Sequence, residues 1–105
     1  MRPRVTLGPE YPAIELRYLP GYPWRAARRN TDQDTGNPIA LAATLTIAWT
    51  RDGLDPWIGV LSDGNTVCTW TATQTQVDAL APGDEFVLLY GTEPMAYGYA
   101  SEVTL

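Results

Sequence analysis

Turn chemistry recurs along this chain at intervals of about ten residues, and that spacing constrains the fold more than anything else in the sequence. "PGYP" (20–23), "NTDQDTGNP" (30–38), Asp52-Gly53, Asp63-Gly64 and Pro82-Gly83 each force the chain to bend. The stretches between them are too short for ordinary helices and are rich in Thr, Val, Ile, Trp and Tyr, the residues that suit a pleated, half-buried surface. A chain of 105 residues cut this way has room for one core and one domain.

The intervening segments alternate as strands do. In "AIELRYL" (13–19), Ile14 and Leu16 oppose Glu15 and Arg17. "WRAARR" (24–29) follows Pro23, which favours a strand over a turn of helix. Leu45, Ile47 and Trp49 alternate with Thr44, Thr46, Ala48 and Thr50, and residues 39–43 lead into them as a separate short element. "WIGVL" (57–61) reads as one strand. In "TVCTWTA" (66–72), Cys68, Trp70 and Ala72 form one face. "TQTQVDAL" (73–80) is the one helical candidate, with Thr73 or Thr75 as cap and Pro82-Gly83 as stop. "DEFVLLYG" (84–91) is a continuous apolar run, which predicts a strand buried on both faces. "MAYGYASEVTL" (95–105) sets Ala96 and Gly98 against Tyr97, Tyr99, Ser101 and Val103.

The expected architecture is an all-β sandwich of about seven strands with one short helix or helical turn. Its expected core is Ile14, Leu16, Leu45, Ile47, Trp49, Trp70, Phe86, Leu88 and Val103. Residues 1–12 read as an extended N-terminal arm and 13–105 as the sandwich domain.

Charge is unevenly distributed. The net charge is −5 and there is no Lys. Residues 1–30 carry six Arg against Glu10 and Glu15, while residues 31–105 carry Arg51 against ten acids. A chain polarised in this way pairs its own strands by charge or pairs with copies of itself. An acidic protein is repelled by nucleic acid, and the cluster Arg25, Arg28 and Arg29, with Trp24 and Tyr22, is too small to reverse that. No nucleic-acid partner is expected. The longest apolar run, "IALAATLTIAW", is too short and too Thr-rich to span a membrane. The N-terminus has no apolar segment of the signal-peptide kind, so a soluble chain made in a bacterial-type cytoplasm is expected.

Residue chemistry argues against catalysis. With no His and no Lys, nothing activates Ser62, Ser101 or Cys68 as a nucleophile. Cys68, the single cysteine, sits mid-strand and reads as a small buried residue. Asp52, Asp55, Asp63 and Asp78 occupy positions where turns and helix starts favour acids. "DQDTGN" looks superficially like a calcium loop, but Gly36 and Ala43 fall where ligand spacing requires other residues. No metal or cofactor is expected. What remains points to recognition. Arg2 and Arg4 in the arm, Arg25, Arg28 and Arg29, and the aromatics Trp24, Trp57, Tyr97 and Tyr99 are the candidate contact residues. The four aromatics also suit a stacking platform for a host glycan.

One stretch, "GYPWRAARRNTDQDTGNPIALAATLTIAW", resembles the opening of the immunoglobulin-like β-sandwich modules of bacteriophage tail and baseplate proteins. Gly21 opens the first piece. Asp34, Gly36, Pro38, Ile39 and Leu41 carry the turn, and "ATLTIAW" (43–49) the strand after it. "TWTATQTQVDALAPGDEFVLLYG" and "YGYASEVTL" resemble the later strands. The likeness covers about residues 13–105. It is similar to the N-terminal module of baseplate upper proteins and to sandwich modules of phages infecting GC-rich actinobacteria. Tyr22 stands where that family has an acid. The resemblance implies an immunoglobulin-like sandwich without catalytic residues. It further implies a virion part of the tail or baseplate, or a capsid decoration, contacting other virion proteins in multiple symmetric copies.

Overall fold

The computed structural model describes residues 13–104; the expected arm at 1–12, with Arg2 and Arg4, lies outside the described residues. The described elements are β1 (Ala13–Tyr18), β2 (Trp24–Arg29), β3 (Leu45–Trp49), β4 (Trp57–Ile58), β5 (Val60–Ser62), β6 (Val67–Ala72), α1 (Gln74–Asp78), β7 (Glu85–Tyr90) and β8 (Glu93–Glu102). They form a sandwich. One sheet has the order β1-β8-β7-β3-β4 and the other the order β2-β6-β5. β1 is added in parallel to the last strand, β8, at one edge of the larger sheet.

Alternation places the core between the sheets. Leu16, Leu45, Ile47, Trp49, Trp70, Phe86 and Leu88 are buried there as their periodicity predicts, together with Tyr18, Cys68, Ala72, Ala96 and Ala100. Val103, expected in the core, is exposed because β8 ends at Glu102. Ile14 is only partly buried, at the rim. β7 was expected to be buried on both faces. Instead Phe86 and Leu88 are buried, while Glu85, Val87 and Leu89 are half-exposed, because no third layer among the described residues covers the outer face of its sheet.

The segment 57–61 is not one strand. Its first part pairs with β3 and its second with β6, so the chain passes from one sheet to the other at Gly59. That brings the strand count to eight among the described residues. Gly59 N–H donates to Leu45 O at 2.9 Å, and Thr44 Oγ1 donates to Gly59 O at 2.5 Å. Trp70 Nε1 also donates to Leu45 O, at 3.0 Å, so one carbonyl ties both sheets to the crossover. An added Cβ at Gly59 would collide with Cys68 Sγ and lie 2.7 Å from Leu45 O. Only glycine fits there.

Local chemistry fixes the connections. Thr73 caps α1 with a capping box. Gln76 N–H donates to Thr73 Oγ1 (3.2 Å), and Thr73 N–H donates to Gln76 Oε1 (2.8 Å). The helix is held to the body by Val77, which is fully buried. In the β5–β6 turn, Asp63 and Asn65 adopt left-handed backbone angles on either side of Gly64, the non-glycine types that best tolerate it. Residues 39–43 form no strand. They run as irregular chain, anchored where Leu41 N–H donates to Asn65 O at 2.8 Å.

Candidate functional site

The stretch "NTDQDTGNP" closes upon itself. Asp32 Oδ1 accepts from the N–H groups of Asp34 (2.8 Å) and Thr35 (3.0 Å). Those backbone hydrogen bonds, Thr35 first, hold the Asp32 carboxyl below the usual aspartate range. Thr31 bridges Pro38 across the loop, and Asn30 Nδ2 donates to Ile39 O at 3.1 Å. Asp32 therefore organises the loop backbone.

β2, which leads into this loop, lies at an edge of the three-stranded sheet. The neighbouring edge of the other sheet is β1, which pairs with β8 instead of with β2. Among the described residues the sandwich is therefore open along this side. An apolar groove of about 260 Å³ runs between β1 and β2, floored by Leu16, Trp24, Ala26, Phe86 and Leu88. A second hollow of about 300 Å³ continues it past Ile39, Leu41 and Met95. Arg28 lines both.

The arginines of β2 divide. Arg29 is committed within the chain, pairing with Asp63 at 2.9 Å and donating to Thr66 Oγ1 at 3.2 Å. Arg25 and Arg28 are exposed and have no ion pair or side-chain hydrogen bond among the described residues. Glu15, the acid at the groove, is already engaged. It accepts from Ser101 Oγ at 2.8 Å and lies 3.5 Å from Arg17 Nε. The groove thus presents apolar surface lined by Arg28, which has no ion pair among the described residues; Arg25, paired in register with the exposed Thr71, faces away from it.

The candidate aromatics are not brought together. Trp57 is 3% exposed. Its centroid lies 5.0 Å from Trp49, edge-on, and Trp49 packs in turn on Phe86 at 5.4 Å. Expected at the surface, Trp57 belongs to the core, because β4 turns this side chain inward and its neighbour Ile58 outward. Trp24 leans on Trp57 at 5.3 Å and is partly buried. Tyr97 and Tyr99 lie elsewhere, facing out from β8, with Tyr99 the more exposed. A four-ring platform for a sugar does not form.

Sequence reading missed the opposite edge. Ile58 and Val60, flanking Gly59, are 62% and 66% exposed, the two most exposed large hydrophobics among the described residues. Period-two alternation accounts for it: with Trp57 and Gly59 turned inward, Ile58 and Val60 face out. Also missed was the anchor of Arg51. Its Nε and Nη2 donate to Asp84 Oδ1 (2.8 Å) and Oδ2 (2.9 Å), and Nη2 donates to Ala79 O (2.7 Å). Ala81 N–H donates to the same carboxylate at 2.7 Å. This arrangement, led by the hydrogen bond from Arg51, holds the Asp84 carboxyl below its ordinary range. It pins the β3–β4 loop to the segment entering β7.

Compared with protein-family models, with curated proteins and with solved structures, the chain matches none.

Proposed function

We propose that this chain is a non-enzymatic structural module of a bacteriophage virion, an adaptor or minor protein of the tail or baseplate that works through protein–protein contacts. The observation that carries this reading is the open edge beside β2, where an apolar groove is lined by Arg28, which has no ion pair among the described residues. Such a surface suits a protein partner: the apolar floor supplies burial and the charge supplies orientation. The resemblance of residues 13–105 to phage sandwich modules supplies the setting. The same module serves equally as a capsid decoration, since both locations need a rigid sandwich that docks by an edge or face. Virion proteins in several symmetric copies are the proposed partners, and the virion, after synthesis in the bacterial cytoplasm, is the proposed location. Burial of Trp57 and the separate placement of Tyr97 and Tyr99 on β8 favour protein contact over glycan binding.

Mass spectrometry of purified particles, followed by a reconstruction of the whole virion, tests the reading. Stoichiometric presence of the chain and its density at tail, baseplate or capsid are expected. Absence from particles that infect normally would refute it.

A further inference from the structure

The larger sheet is unfinished at one corner. β8 begins at Glu93, but β1 pairs with it only from Tyr97 onward. Residues 93–96 run beside β7 on one side and, among the described residues, have no strand on the other. The second hollow, of about 300 Å³, lies at this corner. Ile39 and Met95 on its walls are 43% and 41% exposed, and Leu41 is half-buried beside them. Arg28 also lines it, from a position that is unusual for a charge. Trp24, Ala26 and Arg28 share the face of β2 that pairs in register with the buried Ala72, Trp70 and Cys68, so Arg28 is turned toward the gap between the sheets. Its side chain has no ion pair or hydrogen bond among the described residues. A cation turned toward an apolar gap is best satisfied by an acid. Glu15 is already held by Ser101 and Arg17.

Twelve residues, "MRPRVTLGPEYP", precede Ala13 and join the sheet at this same corner. Ala13 lies opposite Tyr97, so Met95 stands two residues, about 7 Å, further back along the line of the strand. Pro9 and Pro12 have no N–H to give to a ladder, and Gly8-Pro9 is a bend signal.

We infer that residues 1–12 fold back over the second hollow of their own chain, Glu10 meeting Arg28 while Val5 and Leu7 cover Ile39, Leu41 and Met95. Alternation supports the pairing. Leu16 and Ile14 face inward on β1, and the same period carried upstream puts positions 12 and 10 on the inward side. Glu10 is the only acid of the segment. Val5 and Leu7, two apart, share one side of an extended chain, and Arg4 and Thr6 take the other, toward solvent. Reach is ample, since the six residues from 12 back to 7 span up to about 20 Å. Tethering favours this occupant over a second copy, because a short flexible link holds the segment at about millimolar effective concentration. The groove between β1 and β2, floored by Leu16, Trp24 and Phe86, is left open.

This inference goes beyond the virion reading and does not rest on it. The test is methyl nuclear Overhauser spectroscopy on the full chain. Contacts from Val5 and Leu7 methyls to those of Ile39, Leu41 or Met95 are expected, unchanged on dilution. Cross-linking checks them. Leu7→Cys with Met95→Cys should form a disulfide within one chain about tenfold or more faster than Leu7→Cys with Val60→Cys, which lies on the far edge of the smaller sheet. Cys68 is fully buried and stays out of the exchange. Adding Arg28→Glu should slow the first cross-link about two- to fivefold, and adding Glu10→Arg to that variant should restore it.

A chain with the dispersed spectrum of a folded protein but no contact from residues 1–12 to the hollow overturns the inference. So do equal cross-linking rates for the two cysteine pairs, or a charge exchange that restores nothing. Contacts seen only between labelled and unlabelled molecules would mean that the segment docks on a second copy, and would overturn it too. None of these outcomes bears on whether the chain is present in particles, so the virion reading stands or falls separately.

Discussion

Replacing Gly59 by alanine tests whether the crossover between the sheets is as tightly filled as its geometry implies. The backbone at Gly59 does not have a left-handed φ, so the cost of alanine is steric and not conformational. The new methyl would collide with Cys68 Sγ, lie 2.7 Å from Leu45 O and 3.0 Å from Trp70 Nε1. Overfilling a packed site costs about 1–3 kcal/mol. Moving the Leu45 carbonyl also strains its hydrogen bonds from Gly59 N–H and Trp70 Nε1, and a buried donor left without its acceptor costs about 1–3 kcal/mol. A loss of about 2–6 kcal/mol is expected, against a total stability of about 5–15 kcal/mol for a domain of this kind. In thermal unfolding this lowers the midpoint by about 10–30 °C. Urea titration of wild type, Gly59→Ala, Cys68→Ala and the double variant measures it. Because Cys68→Ala removes the colliding sulfur, the double variant should be more stable than the sum of the single effects predicts. A loss below about 1 kcal/mol for Gly59→Ala, or strict additivity with Cys68→Ala, would refute the argument.

Other features give independent tests. The Asp84 carboxyl titrates below its unfolded value, so its contribution is complete above about pH 4 and is lost as pH falls through its lower folded value. Asp84→Asn should therefore cost about 1–3 kcal/mol at neutral pH, with the gap to wild type narrowing in urea titrations toward pH 3. Tyr18 Oη is buried and has no hydrogen-bond partner among the described residues. Tyr18→Phe should leave stability unchanged or raise it by up to about 1 kcal/mol in the same assay, and a clear loss would show that the hydroxyl is bonded. Removing the capping hydroxyl with Thr73→Ala should cost about 1 kcal/mol. Hydrogen exchange of α1 amides should accelerate with it.

Much of the fold was legible because period-two alternation and turn residues act locally. Leu45, Ile47 and Trp49 on one face, Cys68, Trp70 and Ala72 on another, and a threonine cap on α1 all follow from neighbours in sequence, the structure choosing Thr73 over Thr75. What escaped depends on contacts between distant parts of the chain. Nothing near Gly59 in sequence shows that Cys68 and Leu45 crowd it, so one apolar run concealed a change of sheet. Trp57 looked like a contact residue because aromatics favour both interfaces and cores. Only the inward turn of β4 decides between them. The candidate site was half legible. The basic character of β2 is written in "WRAARR", but that Arg29 is neutralised by Asp63 while Arg25 and Arg28 have no ion pair among the described residues is a matter of reach across the β5–β6 turn. The groove itself could not be read at all, since it exists only because β1 joins the sheet opposite β2.

That placement of β1 has a mechanical consequence. β1 and β8 run parallel through six paired positions, from Ala13 opposite Tyr97 to Tyr18 opposite Glu102. Tension applied at residue 13 and at residue 102 pulls these neighbours in opposite directions along their length. The ladder is then sheared, and its hydrogen bonds must yield together; a hairpin pulled from its open end would lose them one after another. The first and last described strands thus act as a clasp whose strength lies along the line of load, a useful property in any part that must stay folded while the structure around it is stretched.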